Sequence, residues 1–397
     1  MKLAHRLDHI EPFYVMECAK AAALIAASPA CDPAQGGERM LFLNIGEPEF
    51  TAPQLVQEAA ERAIRAGRTQ YTDAMGLPAL REALSAWYAQ RFGLDVPARR
   101  IVITAGASAA LQLACLALFE AGDEVLMPDP SYPCNRHFVA AADAVARLLP
   151  TSAAQRFQLD AAAVAQAWTP ATRGVLLASP SNPTGTSIHP DELRRIDAVV
   201  RGHGGVSIID EIYLGLSYDD TFGHSALRLC ESTGEHIVSV NSFSKYFCMT
   251  GWRLGWLVLP DALVAPVERL AQNLFICAST IAQHAALACF HPESMAEYER
   301  RRAEFRARRD LVVPALNRIG LSVPVLPDGA FYAYADCSAH SPDSWDFAFS
   351  LMHSAHVALT PGRDFGRHDP ARWLRLSFAS SRDKLGEALH RLQRVLA

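Results

Sequence analysis

Lys245 stands apart from the other lysines. The chain has only four, and Lys2, Lys20 and Lys384 lie near its ends, whereas Lys245 sits mid-chain in Ser242-Phe243-Ser244-Lys245-Tyr246-Phe247. Aromatic neighbours would partly desolvate its ammonium, and burial favours the neutral amine. A neutral amine attacks carbonyl carbon. A lysine after a strand is more often a solvated loop charge, so its companions must decide. Thr250-Gly251-Trp252-Arg253-Leu254-Gly255 follows closely. Ser242, backbone N–H groups and the Arg253 guanidinium together form a possible anion clamp.

Further polar groups each follow a short apolar run. Ile101-Val102-Ile103-Thr104 leads into Ala105-Gly106-Ala107-Ser108, a small-residue turn opening a helix. Bare N–H groups and a hydroxyl there favour an anion, although such a turn alone more often means close packing. Pro130-Ser131-Tyr132-Pro133 presents an aromatic ring, and Ser179-Pro180-Ser181-Asn182-Pro183-Thr184-Gly185 holds Asn182 between prolines. Asp210-Glu211-Ile212-Tyr213 ends another run. A carboxylate closing an apolar strand is costly unless a cation or proton donor meets it; Asp210 could also cap a helix. The combination matches pyridoxal 5′-phosphate. Its aldehyde needs the lysine, its phosphate the cradle and Arg253, and its pyridine nitrogen an anion to stay protonated. No metal site is assigned.

Periodicity indicates the elements that must position these groups. Between about 100 and 260, apolar runs at 101–104, 124–127, 174–178, 206–210, 237–240 and 254–258 alternate with helical stretches. Continuous apolar strands spaced by helices predict an α/β fold with a mostly parallel sheet covered on both faces. Such sheets bind ligands beyond the carboxyl ends of their strands. Before this region, 41–45 reads as a short strand ending in Gly46-Glu47-Pro48, with helices near 53–66 and 77–92 joined by the polar loop 67–72. After it, helical patterns cover 261–293 and the charged stretch 294–318. The remainder reads as α+β, with strands near 321–325, 330–335, 357–360 and 373–378 and helices near 343–354 and 381–396. The expected division is an N-terminal arm with part of a small domain in 1–45, a large cofactor domain in 46–293, and a smaller α+β domain in 294–397.

Half of the residues are hydrophobic, enough for a large core, and the net charge of −5 gives no sign of a nucleic-acid surface. Nine cysteines without a C-x-x-C pair suggest free thiols in a reducing, cytoplasmic setting. No apolar span is long enough to suggest a membrane crossing.

Ser-x-Ser-Lys followed by Thr-Gly-Trp-Arg-Leu-Gly, together with Asn-Pro-Thr-Gly and Asp-x-x-Tyr, resembles the class I/II aminotransferase family of fold-type I pyridoxal-phosphate enzymes. The resemblance runs from Ile10-Glu11-Pro12-Phe13 to Arg375-Leu376-Ser377-Phe378-Ala379. It implies that Lys245 joins the cofactor aldehyde and moves the substrate proton. Asp210 would pair with the pyridine nitrogen, Tyr213 and Asn182 would bond the phenolic oxygen, and Tyr132 would stack on the ring. Gly106, Ala107, Ser108, Ser242 and Arg253 would hold the phosphate, with Ser244 a further donor. Arg375 would grip the substrate carboxylate, helped by Asn182 and the N–H of Gly46. Tyr71 would reach the phosphate bound by a second subunit, implying a homodimer with shared sites.

The implied reaction moves an amino group from an L-amino acid to a 2-oxo acid by a ping-pong route. No arginine occurs between Arg269 and Arg300, and Asn273-Leu274-Phe275-Ile276-Cys277 is mostly apolar. With Phe13, Tyr14 and Phe331 expected near the pocket, neutral or hydrophobic donors are favoured. A β-lyase or decarboxylase on the same scaffold remains an alternative, as does a non-catalytic cofactor-binding sensor domain. The sensor is the weaker of the two, because no basic recognition helix is visible before Gly46.

Overall fold

In a computed structural model that describes residues 2–230 and 236–396, twelve strands are assigned among the described residues. They are β1 (Leu41–Phe42), β2 (Ile101–Thr104), β3 (Glu124–Asp129), β4 (Val145–Pro150), β5 (Thr172–Ala178) and β6 (Val206–Asp210), then β7 (Ile237–Ser242), β8 (Gly255–Val258), β9 (Tyr332–Asp336), β10 (Val357–Ala358), β11 (Thr360–Pro361) and β12 (Trp373–Ser377). Seven of them form one sheet in the order β2-β8-β7-β6-β5-β3-β4. Strand β8 runs antiparallel to both neighbours, and the other pairs are parallel.

The apolar runs are continuous because both faces of this sheet are covered, so successive side chains enter opposite cores. Val102, Val125, Leu176, Ile208 and Leu257 pack with the helices Gly106–Leu118 and Asp261–Leu274. Their neighbours Ile103, Leu126, Leu177, Ile209 and Val258 pack on the opposite side with Pro78–Phe92 and Pro190–Gly202. All six expected runs are strands of this sheet. Strand β4 was not anticipated. It lies at the edge, half-exposed along its length, and its Val-Ala-Arg-Leu-Leu-Pro lacks a buried strand's uninterrupted apolar character.

The smaller β-structure joins the two ends of the chain. Strands β11, β12 and β9 form an antiparallel sheet, and β1 pairs with β10 in parallel. The helix Tyr14–Ala26 buries Cys18 and Ala22 against Met352 of the helix Ser344–Ser354. The strand expected at 321–325 is reduced to one bridge between Ser322 and Asp336. Pro324 lacks the N–H needed to extend a ladder. The region 261–293 divides into Asp261–Leu274 and Thr280–Leu287, and the charged stretch forms the helix Pro292–Arg318. Among the described residues, no helix is long and apolar enough to cross a membrane.

Candidate active site

The loop from β7 to β8 carries the central groups. Because these strands are antiparallel and Ser242 pairs with Gly255, the loop leaves and re-enters the sheet at one point. Ser242, Ser244, Lys245 and Arg253 therefore face one cavity of about 430 Å³. Arg253 has a left-handed backbone, φ +52°, and its Nη1 donates to Thr250 O at 3.0 Å. The helix Gly106–Leu118 begins beside it. A Cβ on Gly106, where φ is +83°, would lie 2.6 Å from Arg253 Nη2, and one on Gly255 would lie 2.8 Å from Ala107 N. Both glycines are needed for the guanidinium and the helix N-terminus to meet. Ala107 and Ser108 line the same wall.

Lys245 Nζ donates to Gly46 O at 2.7 Å, which brings the turn after β1 to the cavity. The ends of β5 and β6 supply Asn182 and Asp210. Asn182 lies between cis Ser179–Pro180 and its own cis bond to Pro183, and its Oδ1 accepts from Arg375 Nη1 at 2.8 Å. Arg375, on β12, also donates to Asn44 O at 2.5 Å. The loop after β5 and the small sheet thus meet in one polar contact. Tyr132 lines the wall facing Phe13, their ring centroids 6.3 Å apart.

Burial and charge make these groups reactive. Burial pushes Lys245 down to about 8, and nearby Arg375 and Arg253 add to the shift while Glu47 and Asp210 oppose it. Asp210 is pushed up to about 7 by burial, partly offset by the N–H of Ile212 and by Lys245, while neighbouring Glu211 adds to the rise. A carboxyl held this way would gain strongly from a cationic N–H placed against it. Burial also raises the Tyr213 and Tyr132 phenols well above their ordinary value.

Gly46, Ala107, Ser108, Tyr132, Asn182, Asp210, Tyr213, Ser242, Ser244, Lys245, Arg253 and Arg375 all line the cavity. Gly106 meets it through Arg253. Tyr71 does not; it is 80% exposed, on a loop held by the Thr280 hydroxyl bonded to Gln70 O. Phe13 lines the cavity, but Tyr14 and Phe331 do not. Tyr14 turns towards Trp345 and lies under Arg363, and Phe331 is fully buried behind Lys245. No residue of 273–277 lines this cavity. Sequence reasoning missed Tyr332, Glu47 and the helix residues Val15, Met16 and Ala19, which complete the walls. Tyr332 follows the noted Phe331, and strand alternation turns it to the other face.

Residues 38–392 match the family described as aminotransferase class I and II. The chain belongs to that family. It is 39% identical over 383 residues to a valine–pyruvate aminotransferase of Mycobacterium tuberculosis, covering 96% of each chain. It superposes on the crystal structure of an aminotransferase from Mycobacterium tuberculosis with a TM-score of 0.92 and 38% identity, covering 100% of this chain and 99% of that one. With an aspartate aminotransferase of Thermus thermophilus crystallised with maleate, the TM-score is 0.90 at 33% identity, with both chains fully covered. The protein is an aminotransferase with the α/β architecture of fold-type I enzymes, a family that uses pyridoxal 5′-phosphate. These relatives act on different amino acids by name, so membership leaves the substrate open.

Proposed function

We propose that this aminotransferase uses pyridoxal 5′-phosphate to move the amino group of a neutral or hydrophobic L-amino acid to a 2-oxo acid, by a ping-pong route in a homodimer. The observation that carries the substrate class is the composition of the cavity wall. Among the described residues, the cations lining it are Lys245, Arg253 and Arg375, and each already has a task in this reading. The rest is dominated by Phe13, Val15, Met16, Ala19, Ile45 and Leu111. A side-chain carboxylate would meet apolar carbon there, at a large desolvation cost. The resemblance to a valine–pyruvate enzyme supports the same reading.

The donor set fits the cofactor. Asp210 is a buried acid awaiting a cationic N–H, and Gly106 leaves space for Arg253 against a helix N-terminus. Asp210 would hold the ring nitrogen, Tyr213 and Asn182 the phenolic oxygen, and Tyr132 the ring face. Gly106, Ala107, Ser108, Ser242, Ser244 and Arg253 would hold the phosphate. When bound, pyridoxal 5′-phosphate supplies an aldehyde for the amino group and a sink for the electrons released at Cα. Arg375, oriented by Asn182, binds the substrate carboxylate as a bidentate pair with the help of the Gly46 N–H. Lys245 takes the Cα proton onto Nζ; its lowered pKa leaves much of the amine neutral near pH 8. Phe13, Val15 and Met16 exclude water from that transfer.

Exposed Tyr71 supports the shared-site dimer, as do Phe42 and Ile45, half-exposed apolar groups beside a groove that adjoins the site at Glu47 and Thr250. All nine cysteines are free, which favours a reducing, cytoplasmic setting. The test is the visible spectrum of cofactor-loaded protein mixed with single amino acids and no acceptor. Bleaching by valine, leucine or alanine but not by aspartate is expected. Ammonia release without bleaching, or a preference for aspartate, would overturn the reading.

A further inference from the structure

Tyr332 opens β9 and is 1% exposed, yet it lines the cavity. Three contacts tie it to groups discussed above. Its oxygen lies 2.8 Å from the Tyr213 hydroxyl. The Arg375 guanidinium sits 4.5 Å from the centroid of its ring. A Cβ on Gly46 would lie 2.0 Å from its oxygen, so the phenol fits only because residue 46 is glycine. Tyr332 thus links the residue expected to bind substrate carboxylate to the one expected to bond the cofactor's phenolic oxygen.

The direction of that link follows from proton counting. Two phenols carry two protons and share one hydrogen bond, so one proton stays free for an acceptor in the cavity. Burial keeps both protonated, and the Arg375 guanidinium, which lies over the Tyr332 ring, opposes that rise in each. The adjacent guanidinium stabilises negative character on the Tyr332 oxygen and makes Tyr332 the better donor. Tyr332 then donates to Tyr213, and Tyr213 keeps its own proton for the cavity. A hydroxyl that accepts a bond also donates more strongly.

We propose that Tyr332 is a positioning residue acting through Tyr213, coupling occupation of Arg375 by a substrate carboxylate to the hydrogen bond that Tyr213 gives the cofactor's phenolic oxygen. The proposal rests on the roles assigned to Lys245, Tyr213 and Arg375 above. A carboxylate on Arg375 neutralises the guanidinium, weakens Tyr332 as a donor and so weakens Tyr213. The phenolic oxygen then holds a proton more readily, and the visible band of the loaded protein titrates at higher pH. The charged and titratable groups facing this pair are Arg375 from β12, Lys245 from the loop after β7, and Tyr132, which in turn faces Asp210.

The test is a pH titration of that band in the holoenzyme, with and without 3-methylbutanoate, a carboxylate with no amino group. Tyr332→Phe should raise the midpoint by about 0.5 pH unit, the size one buried hydrogen bond allows. It should also shrink the further rise caused by 3-methylbutanoate. In a Tyr213→Phe background, Tyr332→Phe should change nothing. Replacing Tyr332 by 3-fluorotyrosine keeps the hydroxyl, makes it more acidic and should lower the midpoint, which covers the case in which Tyr332→Phe disturbs packing. An unchanged midpoint in both position-332 variants, or an equal shift with Tyr213 already gone, overturns the proposal. A wild-type protein that shows no band with pyridoxal 5′-phosphate instead overturns the functional reading on which it rests.

Discussion

Asp210 and Glu211 are adjacent acids with different surroundings. Glu211 accepts bonds from the Ser225 hydroxyl at 2.9 Å, the Ala226 N–H at 2.6 Å and the Ser239 hydroxyl at 2.8 Å, whereas Asp210 faces the cavity. Burial pushes both up to about 7. In cofactor-free protein, the folded state therefore holds protons that the unfolded chain has released above about pH 4. Stability falls as pH rises from there through about 7. Lys245, lowered to about 8, acts oppositely: the unfolded chain binds the extra proton, so this group adds stability as pH rises from about 8 towards its ordinary value. Thermal melts of cofactor-free protein should show the decline, and Glu211→Gln should flatten it by up to about 1.4 kcal/mol per pH unit. An identical slope in wild type and variant would contradict the assignment. For the chemistry itself, Lys245→Ala should abolish the covalently held chromophore and lower turnover by at least about 10²–10⁴-fold, read by mass spectrometry under reducing conditions and by single-turnover assay.

Short elements around the cavity carry their own predictions. The helix Gly106–Leu118 starts at a residue only glycine occupies without strain, since an L side chain at positive φ costs about 1–2 kcal/mol. Gly106→Ala would also displace the Arg253 guanidinium, so cofactor affinity should drop at least about tenfold by fluorescence titration, while the free protein should still melt cooperatively, at a temperature lowered by that strain alone. The segment ahead of the helix Tyr14–Ala26 is tied down by Glu11, which accepts from Arg136 at 3.1 Å and from Arg367 at 3.0 Å. This tie holds Phe13, Val15 and Met16 over the cavity. A partly exposed pair of this kind is worth about 1 kcal/mol. Glu11→Gln should therefore raise KM for hydrophobic donors about fivefold and leave kcat nearly unchanged. A fall in kcat alone would mean that the segment does not form the substrate wall.

At the scale of the whole molecule, the site as seen in one chain has an unfilled role for Tyr71. Among the described residues, this exposed ring does not line the cavity of its own chain, and the proposed dimer assigns it to the cavity of a second copy. Sedimentation should give twice the chain mass, and Tyr71→Phe should weaken cofactor binding about tenfold if its hydroxyl reaches the phosphate as a charge-assisted donor. Mixing Tyr71→Phe with Lys245→Ala protein should regain part of the activity, because a mixed dimer contains one site with both native residues. A fully active monomer would rule out sharing.

The large sheet, and the grouping of candidate polar residues after its strands, were legible in the sequence alone. Ser242, Lys245 and Arg253 lie within one loop, and the covered strands appear as apolar runs because both sheet faces demand carbon at every position. Those are local signals. Where the pattern was weaker, it misled: β4 escaped notice at a half-exposed edge, and Pro324 ended a strand that alternation favoured. Tertiary structure alone decided which distant groups meet. Arg375 reaches Asn182 across 193 positions and Tyr332 reaches Tyr213 across 119, each from a strand of the small sheet to a loop that follows a strand of the large one. In sequence, Tyr332 looks like any aromatic in a core strand, and Val15 and Met16 look like one stripe of a helix. Hydrophobic period records that a side chain is buried. It does not record against what, because strand order and helix docking are set by the sum of many contacts across the chain.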